Sequence, residues 1–224
     1  MPTIGGVANG AMILEDALFD NMSYEAFTKV LTPKVQGSQL LDELFLDTPL
    51  DFFILFSSTT AVMGNSGQSN YIAANMFMNA LAAQRKKRGL AASSVDISSV
   101  IGIGYVERAE DLSEDTFVNM GYKPMSEQDL HQLFAEAILL GRTNASEQVC
   151  ELATGVTPIR VDAQASDQYL KDIKFSHFLL ESSNSHQHDS GTSSVPLRVQ
   201  LMEATSREEA ASAIKGRLSD LLFC

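Results

Sequence analysis

A short apolar run, residues 52–56, constrains this sequence most, because it ends at a serine pair and is followed by a long helical pattern. Such a run, bounded by turn residues, is typical of a buried strand, and residues 68–88 have the spacing of a helix. A buried strand that leads into a helix predicts an α/β fold. Ser58 then stands where a parallel strand ends, which is the edge at which open α/β sheets carry their chemistry.

Three polar side chains are expected to meet at the end of this strand. Tyr71 and Asn75 are four residues apart on the predicted helix, so they project from one face, toward the crevice beside Ser58. Taken singly, each has a simpler interpretation, because a serine at a strand end often makes a turn and a tyrosine on a helix often packs with its hydroxyl in water. The combination, rather than any one residue, indicates a site.

Several segments resemble the ketoreductase domain of polyketide synthases, in particular of the large iterative fungal enzymes, within the short-chain dehydrogenase/reductase superfamily. These segments are residues 33–37, 57–58, 64–68 and 71–81, within a similarity that covers residues 1–180. In ordinary members of the superfamily a lysine follows the tyrosine by four residues, but Asn75 holds that place here. Polyketide ketoreductases carry the lysine on the preceding helix, and Lys34 stands 24 residues before Ser58, where that pattern requires it. The resemblance implies a catalytic set of Tyr71, Ser58, Lys34 and Asn75.

The activity implied by the resemblance is NADPH-dependent reduction of a β-ketoacyl thioester to a β-hydroxyacyl thioester, on a chain held by the phosphopantetheine of an acyl carrier protein. Tyr71 would protonate the carbonyl oxygen, and Ser58 would donate a hydrogen bond to it. The Lys34 ammonium would favour phenolate, lowering the pKa of Tyr71, and would bind the cofactor ribose. Asn75 would orient the lysine and a water chain.

The resemblance implies further cofactor contacts from Tyr71 and from Ala8, Asn9 and Gly10, at the end of the first predicted strand. In the family, the glycine-rich turn that holds the cofactor pyrophosphate lies on the first strand of the sheet, and no G-x-G-x-x-G occurs in this sequence. The chain therefore resembles the C-terminal half of a Rossmann-like, doubly wound parallel sheet. The missing N-terminal half and other synthase domains are its expected partners.

Four strands are predicted, at residues 4–8, 52–56, 92–97 and 149–155, and the resemblance assigns them to strands 4-5-6-7 of the family's sheet. The predicted helices are residues 23–46, 68–88, 126–140 and 168–180. Ser23 is expected to cap the first helix, although Ala26 stands where a capping box needs Glu or Gln. Pro33 is expected to bend that helix.

The composition changes after residue 180. Residues 181–194 contain no apolar side chain, which predicts a flexible linker over residues 181–197. Residues 206–222 then carry one apolar helical stripe, and residues 198–224 resemble the start of helix 1 of an acyl carrier protein. The expected organisation is a ketoreductase half over residues 1–180, a linker and the beginning of a carrier domain.

The charge of the chain bears on its partners. A net charge of −12 argues against binding to nucleic acid or to an anionic membrane surface. The sequence shows neither a membrane-span pattern nor a secretory signal, and its two cysteines indicate neither a disulfide framework nor a metal cluster. We expect a cytoplasmic protein that holds no metal.

Two short features relate to stereochemistry. Leu14, Glu15 and Asp16 resemble the Leu-Asp-Asp signature of one stereochemical class of modular bacterial ketoreductases, but acidic residues near the first turn of a helix would also favour its dipole. Met63, eight residues before Tyr71, stands where the opposite class carries tryptophan. Together these features favour the D-hydroxy product.

Three hypotheses follow for the function. The first is a catalytic ketoreductase segment, and the second is a truncated, catalytically incompetent ketoreductase fragment that acts only as a structural scaffold. The third is a small independent reductase with an unfamiliar cofactor mode. All four catalytic groups are present in the sequence, which argues against the second hypothesis, and the lack of a phosphate-binding turn argues against the third. Substrate chain length, and a peptide synthetase module in the parent protein, stay open.

Overall fold

The fold is built on a sheet of four parallel strands. The computed structural model of the protein describes residues 2–102, 123–143, 149–156, 159–160 and 172–180. The strands are β1 (Gly6–Asn9), β2 (Phe52–Ser58), β3 (Ser93–Ile97) and β4 (Glu151–Ala153), in that order across the sheet. The register pairs Val7 with Phe53, Ile54 with Ser93 and Ser94 with Glu151. This sheet confirms the predicted α/β fold with four consecutive parallel strands.

Helices cover both faces of the sheet. The α-helices are α1 (Tyr24–Leu31), α2 (Gly37–Leu44), α3 (Thr60–Met63), α4 (Ser69–Lys87) and α5 (Glu127–Gly141). Because side chains alternate along a strand, Phe53 and Leu55 of β2 pack with Met78 of α4, whereas Ile54 packs on the other side with Leu133 of α5. Burial on both faces explains why the run in β2 is continuously apolar.

The helix ends follow local chemistry. The backbone N–H of Ala26 donates to Ser23 Oγ at 3.1 Å, which confirms the predicted cap of α1. Ser126 caps α5 and forms a full capping box with Asp129. Helix α4 ends at Lys87, and Gly89 follows with φ of 77°, a left-handed conformation that glycine adopts without strain.

Pro33 interrupts the first predicted helix. Residues Thr32–Gln36 form a π-helical turn between α1 and α2, with the proline at its beginning. Proline has no N–H to donate to the preceding turn, and its ring crowds the carbonyl there, so the backbone widens into a π-turn. The helix continues through this widened turn into α2, so the predicted bend stays a prediction. The turn carries Lys34 on its buried side.

The predicted ends of the sheet differ from the structure. The first strand begins at Gly6 instead of Ile4, and the last covers only Glu151–Ala153. The predicted helix over residues 168–180 is in its described part a 3-10 helix (Ile173–Phe178), and its end differs, because a short strand (β6, Leu179–Leu180) follows. That strand pairs in parallel with β5 (Ile159–Arg160), and strand pairing replaces helical bonds there.

A 3-10 turn (Phe19–Asn21) lies between β1 and α1. The predicted linker and carrier helix, residues 181–224, lie outside the described residues, so the domain division stays a prediction. Among the residues that the structure describes, no helix is both long enough and apolar enough to cross a membrane.

Candidate active site

The Lys34 ammonium is buried between the π-turn, β2 and α4. Its Nζ atom donates to the backbone carbonyl of Phe56 at 2.7 Å and lies 3.7 Å from Met78 Sδ. The same atom lies 5.3 Å from the centroid of the Tyr71 ring, which is cation–π distance. Burial lowers the pKa of Lys34 to about 8. The π-turn therefore brings the lysine to the predicted tyrosine.

The hydroxyl and amide groups gather around the same tyrosine. Tyr71 is buried on α4, and Ser58 and Asn75 lie close enough to its phenol to influence its pKa. Ser58 Oγ accepts hydrogen bonds from the N–H and the hydroxyl of Thr60, at 3.2 and 3.0 Å, so its own hydrogen is left to donate. The structure thus brings Lys34, Ser58, Tyr71 and Asn75 together at the carboxyl end of β2.

Two details differ from expectation. Burial raises the pKa of Tyr71, and the charge of Asp16 adds to this, while the interactions with Asn75 and Ser58 oppose it. That direction is opposite to the lowering expected from a nearby ammonium. Asn75 Nδ2 donates to the backbone carbonyl of Tyr71 at 2.9 Å, so it holds the tyrosine's helical turn, and the Phe56 carbonyl is what holds Lys34.

The predicted cofactor residues lie at the end of β1. Ala8 and Gly10 are exposed residues at this edge of the sheet. Asn9 is buried, and its Nδ2 donates to Pro33 O at 3.3 Å and to Ser38 Oγ at 2.9 Å, while its Oδ1 accepts from the N–H of Ala11. Since protein groups occupy this amide, Asn9 joins β1 to the helices around Lys34, and any cofactor contact would use its backbone.

The segment from Ala11 to Ala17, which we call the strap, lies against the beginning of α4. The N–H of Ala17 donates to Gly67 O at 2.9 Å, and Gln68 Nε2 donates to Asp16 Oδ2 at 2.9 Å. Asn70 Nδ2 donates to the backbone carbonyl of Glu15 at 3.0 Å. These bonds place the Leu14-Glu15-Asp16 motif beside the tyrosine helix.

The individual stereochemical candidates have structural partners in the described residues. Glu15 forms an exposed ion pair of 2.7 Å with Lys29 of α1, and Leu14 is half-buried. Met63 is buried in a small apolar cluster with Phe175. The stereochemical roles of these residues stay predictions.

Comparison with known proteins agrees with this geometry. Residues 1–102 match the model of the KR domain family. The chain is 73% identical over 219 residues to trichosetin synthetase PKS-NRPS1 of Gibberella fujikuroi, covering 98% of this chain and 6% of that protein. It is also 73% identical to equisetin synthetase eqxS of Fusarium heterosporum, over 96% of this chain and 5% of the relative. The chain thus spans a small part of these curated relatives.

Solved ketoreductases share the fold. An A-type ketoreductase from a modular polyketide synthase aligns with a TM-score of 0.58 and 30% identity, over 67% of this chain and 30% of that one. The first ketoreductase of the tylosin PKS aligns with a TM-score of 0.56 and 34% identity, over 68% of this chain and 32% of that one. The chain carries part of a polyketide synthase ketoreductase domain. Such domains reduce carbonyl groups in polyketide synthesis, and the partial coverage is consistent with the predicted C-terminal half.

Two features of this ketoreductase domain were missed in the sequence. The first is Met12, whose Sδ accepts a hydrogen bond from the Tyr71 hydroxyl at 3.3 Å. Its place three residues beyond β1, at the carboxyl end of the sheet, is a signal that could have found it.

The second feature is a carboxyl cluster formed by Asn79, Asp96 and Glu151. Asn79 Nδ2 donates to Asp96 Oδ1 at 3.0 Å. Desolvation and the neighbouring Asp96 raise the pKa of Glu151 to about 7. No sequence signal identifies Asp96 and Glu151 as neighbours, because these two acids meet only through the register of β3 and β4.

Proposed function

We propose that this ketoreductase domain reduces a carrier-bound β-ketoacyl thioester to a β-hydroxyacyl thioester, using NADPH. The observation that carries the proposal is the meeting of four groups from three separate elements. Lys34 comes from the π-turn, Ser58 from β2, and Tyr71 and Asn75 from α4. A phenol that is buried beside an ammonium and a free serine hydrogen is equipped to hold and protonate a carbonyl oxygen.

Three of the four groups have distinct chemical tasks in this proposal, and Asn75 holds the turn of α4 that carries Tyr71. The Ser58 hydroxyl donates to the ketone oxygen, which becomes more basic as negative charge develops. When the carbonyl carbon receives hydride, the Tyr71 hydroxyl would give its proton to that oxygen, so the C=O double bond becomes a C–OH single bond and a phenolate remains. The Lys34 ammonium, 5.3 Å from the ring centroid, stabilises the phenolate until solvent returns the proton.

The donor set around Lys34 fits a nicotinamide cofactor. An ammonium has three donors, and the Phe56 carbonyl and the weakly accepting Met78 thioether account for two of them. The third is left to donate to a ribose hydroxyl of the cofactor. When bound, the cofactor supplies hydride to the carbonyl carbon.

Substitution of Tyr71 tests the proposal in the full polypeptide that contains this chain. We expect Tyr71→Phe to lower kcat for acetoacetyl thioester by roughly 10²-fold or more, because the proton donor is lost, and to leave NADPH binding nearly unchanged. NADPH oxidation and cofactor fluorescence measure the two quantities. Tyr24→Phe is the matched control, since Tyr24 is exposed on α1. Retained turnover in Tyr71→Phe would remove Tyr71 from its role and the proposal with it.

A further inference from the structure

The Tyr71 hydroxyl makes a hydrogen bond that the proposed reaction does not use. It donates to the thioether of Met12, with an O···S distance of 3.3 Å. Tyr71 is 7% exposed, whereas Met12 is 39% exposed, so the partner of the buried phenol is itself open to the surface. A ketone that takes the proton of Tyr71 must approach the same hydrogen, and therefore must approach beside Met12.

The position of Met12 is held on both sides. On its N-terminal side, the N–H of Ala11 donates to the buried Asn9 side chain at 3.1 Å. On its C-terminal side, the strap is bonded to α4 through the Glu15 carbonyl, and to the residues just before that helix through Asp16 and Ala17. The backbone at residue 12 is thus anchored close to the phenol, while the side chain itself is partly exposed.

The chemistry of a thioether suits a temporary partner. Sulfur of methionine is a weak acceptor, so exchanging it for a carbonyl oxygen costs the Tyr71 hydroxyl little. The unbranched side chain has three rotatable bonds, so it adapts to neighbours of different shape. A wider or stiffer side chain at this position would take up space that a ketone substituent needs.

We propose that Met12 lines the ketone-binding position and that the volume of its side chain determines which acyl substituents the site accepts. The inference rests on the proposed function, because it needs Tyr71 to face the ketone. It adds a specificity-determining residue outside the catalytic set of Lys34, Ser58, Tyr71 and Asn75. The substrates concerned are β-ketoacyl thioesters that differ in the length of the acyl chain.

The test compares two substrates in the full polypeptide, acetoacetyl and β-ketooctanoyl pantetheine thioesters. The readout is the ratio of kcat/KM for the long substrate to kcat/KM for the short one. We expect Met12→Ala to raise this ratio about 10-fold by opening space, and Met12→Phe to lower it by a similar factor. Since Met12 is partly exposed, neither change leaves a cavity in the core.

Met22→Ala is the matched control. Met22 also lies beside a hydroxyl of α4, with Ser69 Oγ at 3.7 Å from its sulfur, but it does not accept from Tyr71 in this arrangement. We expect Met22→Ala to keep the ratio of kcat/KM for the long substrate to kcat/KM for the short one within about twofold of the wild-type ratio.

The outcomes separate this inference from the proposed function. If both Met12 variants leave the ratio within about twofold, or slow both substrates equally, Met12 does not select the substituent. If Tyr71→Phe is inactive in the same preparation, an unchanged ratio in the Met12 variants overturns the inference about Met12 and leaves the proposed function standing. If Tyr71→Phe keeps its turnover, the proposed function fails, and the inference fails with it.

Discussion

Helix α4 contributes to two polar clusters that differ in charge and position. The first contains Tyr71 and Asn75 with Lys34 and Ser58, and the second contains Asn79 with Asp96 and Glu151. Asn75 and Asn79 are one helical turn apart. In both clusters, desolvation favours the neutral form, so the pKa of Lys34 falls to about 8 and the pKa of Glu151 rises to about 7.

The difference between the clusters lies in what surrounds them. The Lys34 cluster lies at the carboxyl end of β2, beside the strap and the partly exposed Met12. The carboxyl cluster lies where α4 crosses the paired strands β3 and β4. A shifted pKa therefore does not by itself identify a catalytic group. What distinguishes the first cluster is its set of donors, the Tyr71 and Ser58 hydroxyls and the Lys34 ammonium, which can hold and protonate a carbonyl oxygen.

Removal of the Lys34 ammonium from the first cluster is expected to have the largest effect on the reaction rate. We expect Lys34→Met to lower kcat by roughly 10²-fold or more, because the phenolate loses its counter-charge. We expect no loss of thermal stability, since the variant replaces a desolvated charge with an apolar side chain of similar length. Steady-state kinetics and thermal unfolding measure the two effects. The exposed Lys29→Met is the control, and a stability loss without a rate loss would make Lys34 structural.

The pH dependence of the rate sharpens the assignment of Lys34. Its ammonium is lost above a pKa of about 8, so kcat should fall as pH rises through that value. The Tyr71 hydroxyl keeps its proton there because burial raises its pKa, so the falling limb reports the lysine. A rate that stays level well above this pH would show that the charge of Lys34 is not required.

The carboxyl cluster is expected to affect stability but not turnover. The native Glu151 carboxyl keeps its proton up to about pH 7, because its pKa is raised to about 7 from the ordinary glutamate pKa of 4.5. The native state therefore binds more protons in that window, and its stability should fall as pH rises through it. Thermal unfolding of Glu151→Gln should lose this part of the pH dependence, with kcat unchanged. The exposed Glu43→Gln is the control, and an unaltered pH profile in Glu151→Gln would refute the assignment.

Much of the sheet and part of the site were predictable because their signals are local. The apolar run in β2 and the spacing of Tyr71 and Asn75 depend on neighbouring residues alone. Pro33 indicated a bend for the same reason. The position of Lys34 came from a family resemblance, and the π-turn that directs it inward could not be derived from a bend alone.

The features that were not predicted depend on contacts between distant segments. Met12 reaches Tyr71 across 59 positions of sequence, through bonds between the strap and α4. Asp96 and Glu151 meet through the register of two strands. The lowered pKa of Tyr71 was expected from charge alone, but the degree of burial, which reverses the direction, is a property of the packed structure.

A double-mutant cycle on Lys34 and Tyr71 tests the central claim most directly, namely that separate elements form one proton-transfer site. It compares kcat for acetoacetyl thioester in wild type, Lys34→Met, Tyr71→Phe and the double variant. Because residues that act as a unit have non-additive effects, we expect the double variant to lose no more than the more impaired single variant. Losses that multiply would show that the lysine and the tyrosine act independently, and would contradict this account.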